Sequence, residues 1–402
     1  MEKMYLKTIM QSILAVCTAL IVTSCGLFQN NSGITGNEGI WVNGYLAARQ
    51  HNIGINAANG SIGTGNIDWD AMTHLTYFTL SVAPDGTPED SLDSDAVFNA
   101  AKLRSIVPAA HTNDTKILFA VGGRDNYDGF SSAINDTNRA QLIDTIINMI
   151  TVYNFDGVSL NMNPLEESDY DNYRQLVIQL DATFTALENI RDEELMITAA
   201  TSANVSALSL HASLQDYFEQ INIMTYNMAQ PLRGWQAWHN SALFNQKYNF
   251  ENSQQLFPSI SQIIEQAIDL GIERNKIGIG INFYGYRWNS VHFMGKWESW
   301  PLQDTSIFER PEGIPFTELS RRFNLDEALW DEHAKVPYLN LEEPMAFISF
   351  ENERSIEHKI EYVKRERLGG VMLWELGGAY FQSRLREVND PLLQAVKKSA
   401  FK

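Results

Sequence analysis

Short apolar runs alternating with longer amphipathic segments constrain this chain more than any other feature. From Ile40 onward, runs of strand length recur at Trp41 to Ala47, Leu75 to Val82, Ile117 to Gly122, Gly157 to Asn163, Leu195 to Thr201, Gln220 to Tyr226, Ile277 to Tyr284 and Gly370 to Leu376. Between them lie stretches such as Arg139 to Tyr153, Asp169 to Ile190, Ser259 to Leu270 and Ile356 to Arg367, with apolar residues three and four apart. A run of the first kind reads as a strand buried on both faces, and a stretch of the second kind as a helix with one buried stripe. Their repetition predicts a parallel sheet of βα units, and eight units predict an α/β chain folded as a (β/α)8 TIM barrel. A doubly wound sheet gives the same alternation, but the first strand carries Gly44-Tyr45 and no GxGxxG follows it.

The interval from Trp288 to Phe347 is too long for one loop. It predicts a small α+β insertion, about 289–346, between the seventh and eighth barrel strands. Its Trp297, Trp300 and Tyr338 are expected to form one wall of a cleft. The 402 residues, 44% hydrophobic and 11% aromatic, are enough for a large core, though length alone fits one big domain or two or three ordinary ones.

Ahead of the first run, Lys3 and Lys7 precede the apolar segment Ile9 to Val22, which ends in Thr23-Ser24-Cys25. Segment 1–24 has the form of a signal peptide, too short for a membrane span. The stretch Val22 to Cys25 resembles a bacterial lipobox, which implies a lipid on Cys25 and a place in the bacterial cell envelope. Residues 25–38 then read as a polar tether, leaving 39–402 for the barrel. Of the two cysteines, Cys17 falls in the removed segment, so no disulfide is expected. The formal charge of −19 disfavours nucleic acid as a partner. The eight histidines show no metal-ligand spacing such as HExxH, and neither metal nor cofactor is expected.

Polar and aromatic residues cluster at the C-terminal strand ends, where barrels carry their sites. The third strand ends Ala120-Val121-Gly122-Gly123, the sixth Met224-Thr225-Tyr226-Asn227, the seventh Phe283-Tyr284-Gly285-Tyr286 and the eighth Leu373-Trp374-Glu375. These four segments, in order and spaced by whole βα units, resemble the SxGG, MxYD or MxYN, FYG and tryptophan segments of glycoside hydrolase family 18. Ala120 stands in place of the serine, and Tyr286 stands where an arginine is frequent.

On the fourth strand the family's DGxDxDxE reads Asp156-Gly157-Val158-Ser159-Leu160-Asn161-Met162-Asn163. Ser159 and Asn161 take the places of the inner aspartates, and Asn163 that of the glutamate. In active members, the resemblance implies, the glutamate protonates the glycosidic oxygen. The middle aspartate orients the substrate's acetamide, which attacks the anomeric carbon. Strand alternation puts Ser159, Asn161 and Asn163 on the inner face and Val158, Leu160 and Met162 towards the helices. An amide has no proton to give near neutral pH, and losing a general acid costs about 10²- to 10⁴-fold in rate. The amides and the hydroxyl still hydrogen-bond.

The resemblance further implies an aromatic lining of Tyr45, Phe78, Tyr226, Tyr284 and Trp374, with Asn227 and Trp235 beside it. Flat aromatic faces stack on pyranose rings. Trp235 and Trp238 follow the sixth strand directly and are expected in the cleft. His239 receives no role. Glu166 and Glu167 lie just past the fourth strand and are read as a solvated loop leading into the capping sequence Ser168-Asp169, with Glu351 and Glu375 treated alike.

Three functions remain open. The first is a chitinase-like pseudoenzyme that binds chitin or other N-acetylglucosamine-containing glycans. The second is an active hydrolase using a displaced acid such as Glu166 or Glu167. The third is a scaffold whose rim contacts a protein.

Overall fold

The computed structural model describes residues 39–52, 61–92, 97–228, 236–246, 249–250, 254–295, 312–385 and 388–402. The segments expected as signal and tether, with Cys25, and also Trp235, Trp297 and Trp300, lie outside them.

Each of the eight runs contributes a strand to one closed parallel barrel. In chain order these are β1 (Trp41–Ala47), β2 (His74–Leu80), β3 (Lys116–Gly122), β4 (Gly157–Asn161), β5 (Met196–Thr201), β6 (Gln220–Ile223) and β7 (Ile277–Asn282), and the eighth, Gly370–Trp374, closes between β7 and β1. Helices follow the expected segments: Arg139–Tyr153, Tyr170–Arg191, Ile260–Asp269 and Glu353–Glu366. Ser259 caps the third of these through Gln262 N, and Asn352 forms a capping box with Ser355 on the fourth.

Alternation along the strands divides the core in two. Val42, Leu75, Phe119, Val158, Ile197, Ile221, Ile279 and Val371 pack outward into the large cluster under the helices. The intervening residues point into the barrel, and near its N-terminal end they are polar. There Asn43 Nδ2 donates to Gln220 Oε1 at 3.0 Å, Thr76 Oγ1 to Asn43 Oδ1 at 2.9 Å and Asn222 Nδ2 to Gln220 Oε1 at 3.2 Å. These bonds satisfy amides that burial would otherwise penalise.

The insertion is a five-stranded antiparallel sheet between the last two barrel strands. Its strands are β8 (Tyr284–Asn289), β9 (Glu312–Pro315), β10 (Leu329–Asp331), β11 (Val336–Glu342) and β12 (Met345–Ser349), with a helix at Phe316–Arg322, so the last barrel strand is β13. The sheet begins earlier and ends later than 289–346. After Asn282 the chain leaves the barrel, and Tyr284 already pairs with Pro315 of β9. Trp238 seals this unit, 2% exposed, stacked on Phe257 at 4.6 Å and donating Nε1 to Pro258 O at 2.9 Å. The expectation that Trp238 lines the cleft is therefore corrected. Tyr338 packs on Phe293 at 4.6 Å within the same cluster, away from the barrel-mouth aromatics.

Candidate functional site

On the fourth strand, Asp156 and Gly157 have structural work of their own. Asp156 sits at the N-terminal end of the barrel, where its carboxylate accepts from Ile117 N at 2.7 Å and contacts His111 at 3.0 Å and Lys116 at 3.3 Å. A Cβ on Gly157 would come 2.1 Å from the Met196 carbonyl oxygen. Both residues hold β4 to its neighbours, whatever the chemistry above them. Val158, Leu160 and Met162 join the outer cluster, while Ser159 and Asn161 do not. The ladder stops at Asn161, so Asn163 lies just above the strand end, half-buried.

Ser159 is fully buried, and its hydroxyl pairs with Tyr45 OH at 2.9 Å. Burial pushes the Tyr45 hydroxyl up to about 12, with the bonds to Ser159 and Thr76 acting against it. Tyr45 has no exposed surface, so it supports the floor of the mouth from below and does not present a face to a ligand. On the neighbouring strand Thr198 is in register with Ser159, and its buried hydroxyl has no partner among the described residues. Ala120 is in register on the other side and offers no donor. An acceptor at position 159 larger than a serine hydroxyl would use the Thr198 donor, which now stands idle at a cost of about 1–3 kcal/mol.

The expected aromatic residues converge on one cluster. Tyr45, Tyr226, Ala200 and Met372 form it, with Phe78, Tyr284, Trp374 and Met224 packed against them. Phe78 meets Trp374 edge to face at 4.9 Å, and Tyr226 meets Tyr284 at 6.2 Å. Tyr226 lies over Gly280, where a Cβ would come 2.7 Å from the ring. Tyr284 OH donates to Asn227 Oδ1 at 2.7 Å, and Asn227 N to Asn240 Oδ1 at 2.9 Å, which ties the exposed Asn227 to the rim. Phe78, Tyr284 and Trp374 keep partly exposed faces, and these are the surfaces on which a sugar ring can lie.

Glu166 and Glu167 are exposed, on the turn before the Tyr170–Arg191 helix. Asp169, expected as a cap, instead turns inward and accepts from Tyr127 OH at 2.9 Å and Ser131 Oγ at 2.6 Å. Glu351 and Glu375 are not solvated, which corrects the expectation for both. Glu375 is clasped by Arg49 at 2.9 and 3.1 Å and by Gln50 at 2.5 Å. Glu351 is buried against Lys359, and sequence reasoning missed this pair. His239 is fully buried and contacts Asp331 at 3.0 Å, fastening β10 to the loop after β6. Among the described residues no cluster of His, Cys, Asp and Glu could hold a metal ion.

A closed parallel barrel, an inserted sheet and an aromatic floor beside Ser159 define a chitinase-like barrel. The chain matches the model of Glycosyl hydrolases family 18 over residues 44–379 and belongs to that family. It is 24% identical to chitinase B of Serratia marcescens over 373 residues, covering 76% of this chain and 73% of that protein. It is 25% identical to chitinase A1 of Niallia circulans over 69% of this chain, but the match spans only 43% of that protein's length. Among solved structures, a Group IV chitinase of Ostrinia furnacalis superposes with a TM-score of 0.74 at 24% identity, covering 90% of this chain and all of the other. Human YKL-39, described as a pseudo-chitinase with retained chitooligosaccharide binding properties, superposes at 0.73 with 20% identity over 90% of this chain and all of that one.

Proposed function

We propose that this chain is a non-hydrolytic member of its family that holds N-acetylglucosamine-containing glycans of the chitooligosaccharide type in the barrel mouth. One observation carries the reading. The three positions that supply acids in active members hold Ser159, Asn161 and Asn163, while Phe78, Tyr284 and Trp374 still offer partly exposed faces above them. Neutral groups avoid the mutual repulsion of clustered buried carboxylates and keep their hydrogen-bonding capacity. The resemblance to a pseudo-chitinase that retains chitooligosaccharide binding is consistent with this.

Calorimetry with chitotetraose tests the proposal. Binding is expected without turnover, and Trp374→Ala should weaken it about tenfold or more, through loss of stacking and of buried ring area. No binding by the parent chain sinks the reading. Turnover that disappears on Glu166→Gln or Glu167→Gln replaces it with an active hydrolase using a displaced acid.

We also propose that the protein works at the bacterial cell envelope, anchored through a lipid on Cys25. Metabolic labelling of the full chain with a palmitate analogue should succeed and should fail on Cys25→Ala. Labelling unchanged by that substitution removes the anchor.

A further inference from the structure

Strand β3 ends at Gly122 and leads through Gly123 to Arg124 at the C-terminal end of the barrel. Both glycines adopt left-handed φ, 92° and 104°, so the chain turns sharply there, and a Cβ on Gly123 would come 2.8 Å from the Phe78 ring. Arg124 follows immediately, so its backbone starts beside the aromatic floor. The turn it opens, Arg124–Asn126, is pinned on its far side: Asn126 Oδ1 accepts from Val82 N at 2.8 Å, and Asn126 Nδ2 donates to Val82 O at 2.9 Å. Across the mouth, burial raises the Tyr286 hydroxyl and the Arg124 charge acts against that rise. Arg124 thus sits on the rim of the mouth, one residue from the glycine that abuts Phe78.

Arg124 is exposed and makes no ion pair or hydrogen bond among the described residues. Arg49, by contrast, is clasped by Glu375, the residue after Trp374. Asp125, next to it in the chain and also exposed, forms no ion pair with it among the described residues. A guanidinium fork is matched by a carboxylate, which accepts two parallel N–H bonds, and only partly by the hydroxyls and amides of a neutral chitin oligomer. Below it, Ser159, Asn161 and Asn163 bring no negative charge to repel an anion. The chain's formal charge of −19 discourages indiscriminate anion binding.

We propose that Arg124 makes the cleft selective for N-acetylhexosamine glycans that carry a carboxylate. This rests on the glycan-holding reading above and names the ligand class within it. The test is calorimetry on the full chain with two tetrasaccharides of matched length: chitotetraose, and one of alternating N-acetylglucosamine and N-acetylmuramic acid, whose lactyl groups add the carboxylates. The acidic ligand should bind roughly tenfold to a hundredfold more tightly, with the preference shrinking as salt rises. Arg124→Gln should bring its affinity down to that of chitotetraose. Equal affinities in the parent, or a preference that survives Arg124→Gln, overturn this inference while chitotetraose binding that is lost on Trp374→Ala leaves the glycan-holding reading standing. If neither ligand binds, both fail together.

Discussion

Substituting Ser159→Asp, Asn161→Asp and Asn163→Glu, with Ala120→Ser added, is expected to give hydrolysis of chitooligosaccharides about 10²- to 10⁴-fold above the parent chain. The three acids alone should recover only part of that. Position 159 has no exposure, so a carboxylate there must find its donors inside the barrel or be driven to its neutral form. Two donors are at hand, the Tyr45 hydroxyl at 2.9 Å and the unpartnered Thr198 hydroxyl on the adjacent strand. The third side is Ala120, in register with Ser159 and equally buried, and a serine there supplies the missing hydroxyl. Release of reducing ends, followed over pH, measures the outcome. Comparable turnover by the parent would remove the non-hydrolytic reading. A fourfold variant that folds and binds yet stays inactive would place a further loss elsewhere, first at Tyr286, where the family frequently has an arginine.

Much of this arrangement was legible in the sequence because a barrel strand buried on both faces cannot hide its apolar run. Five of the eight runs extend past their strands at the C-terminal end, where the ladder gives way to the site. The run ending at Tyr226 stops pairing at Ile223, because Thr225 continues the contact through its side chain, donating Oγ1 to Gly280 O at 2.9 Å and accepting from Gly280 N at 3.0 Å. The run from Ile277 breaks at Phe283, whose N–H goes to Trp374 O, and Tyr284 then enters a different sheet. Three of the four strand-end segments place an aromatic residue in the cluster, Tyr226, Tyr284 and Trp374, and the first two strands add Tyr45 and Phe78. What periodicity could not supply was the partner of a buried polar group. Glu351 reads like any loop carboxylate until Lys359, one helix face away, is seen to reach it. Trp238 reads as a cleft residue until Phe257 stacks on it.

That buried pair is the basis of the second large effect. Lys359→Met is expected to destabilise the chain by about 3–5 kcal/mol, because it leaves Glu351 as an uncompensated charge in the interior. Both side chains are essentially without solvent exposure, and they form an ion pair with each other. Burial drives Glu351 up and Lys359 down, and each opposes the shift of the other. Ser355 Oγ donates to the second Glu351 oxygen at 2.7 Å, while Lys359 Nζ donates to Ser241 Oγ at 2.8 Å, and Ser241 in turn donates to Thr225 O at 2.7 Å. The charge pair therefore ends beside Tyr226, and its loss should loosen the aromatic floor as well as the fold. Replacing both partners, Lys359→Met with Glu351→Leu, removes the stranded charge and should recover most of the stability, since an apolar pair of similar volume often matches a buried ion pair. Urea midpoints for the two variants decide the matter. If Lys359→Met alone stays within about 1 kcal/mol of the parent, the interior tolerates a lone Glu351, and the pair cannot be what secures the loop beneath Tyr226.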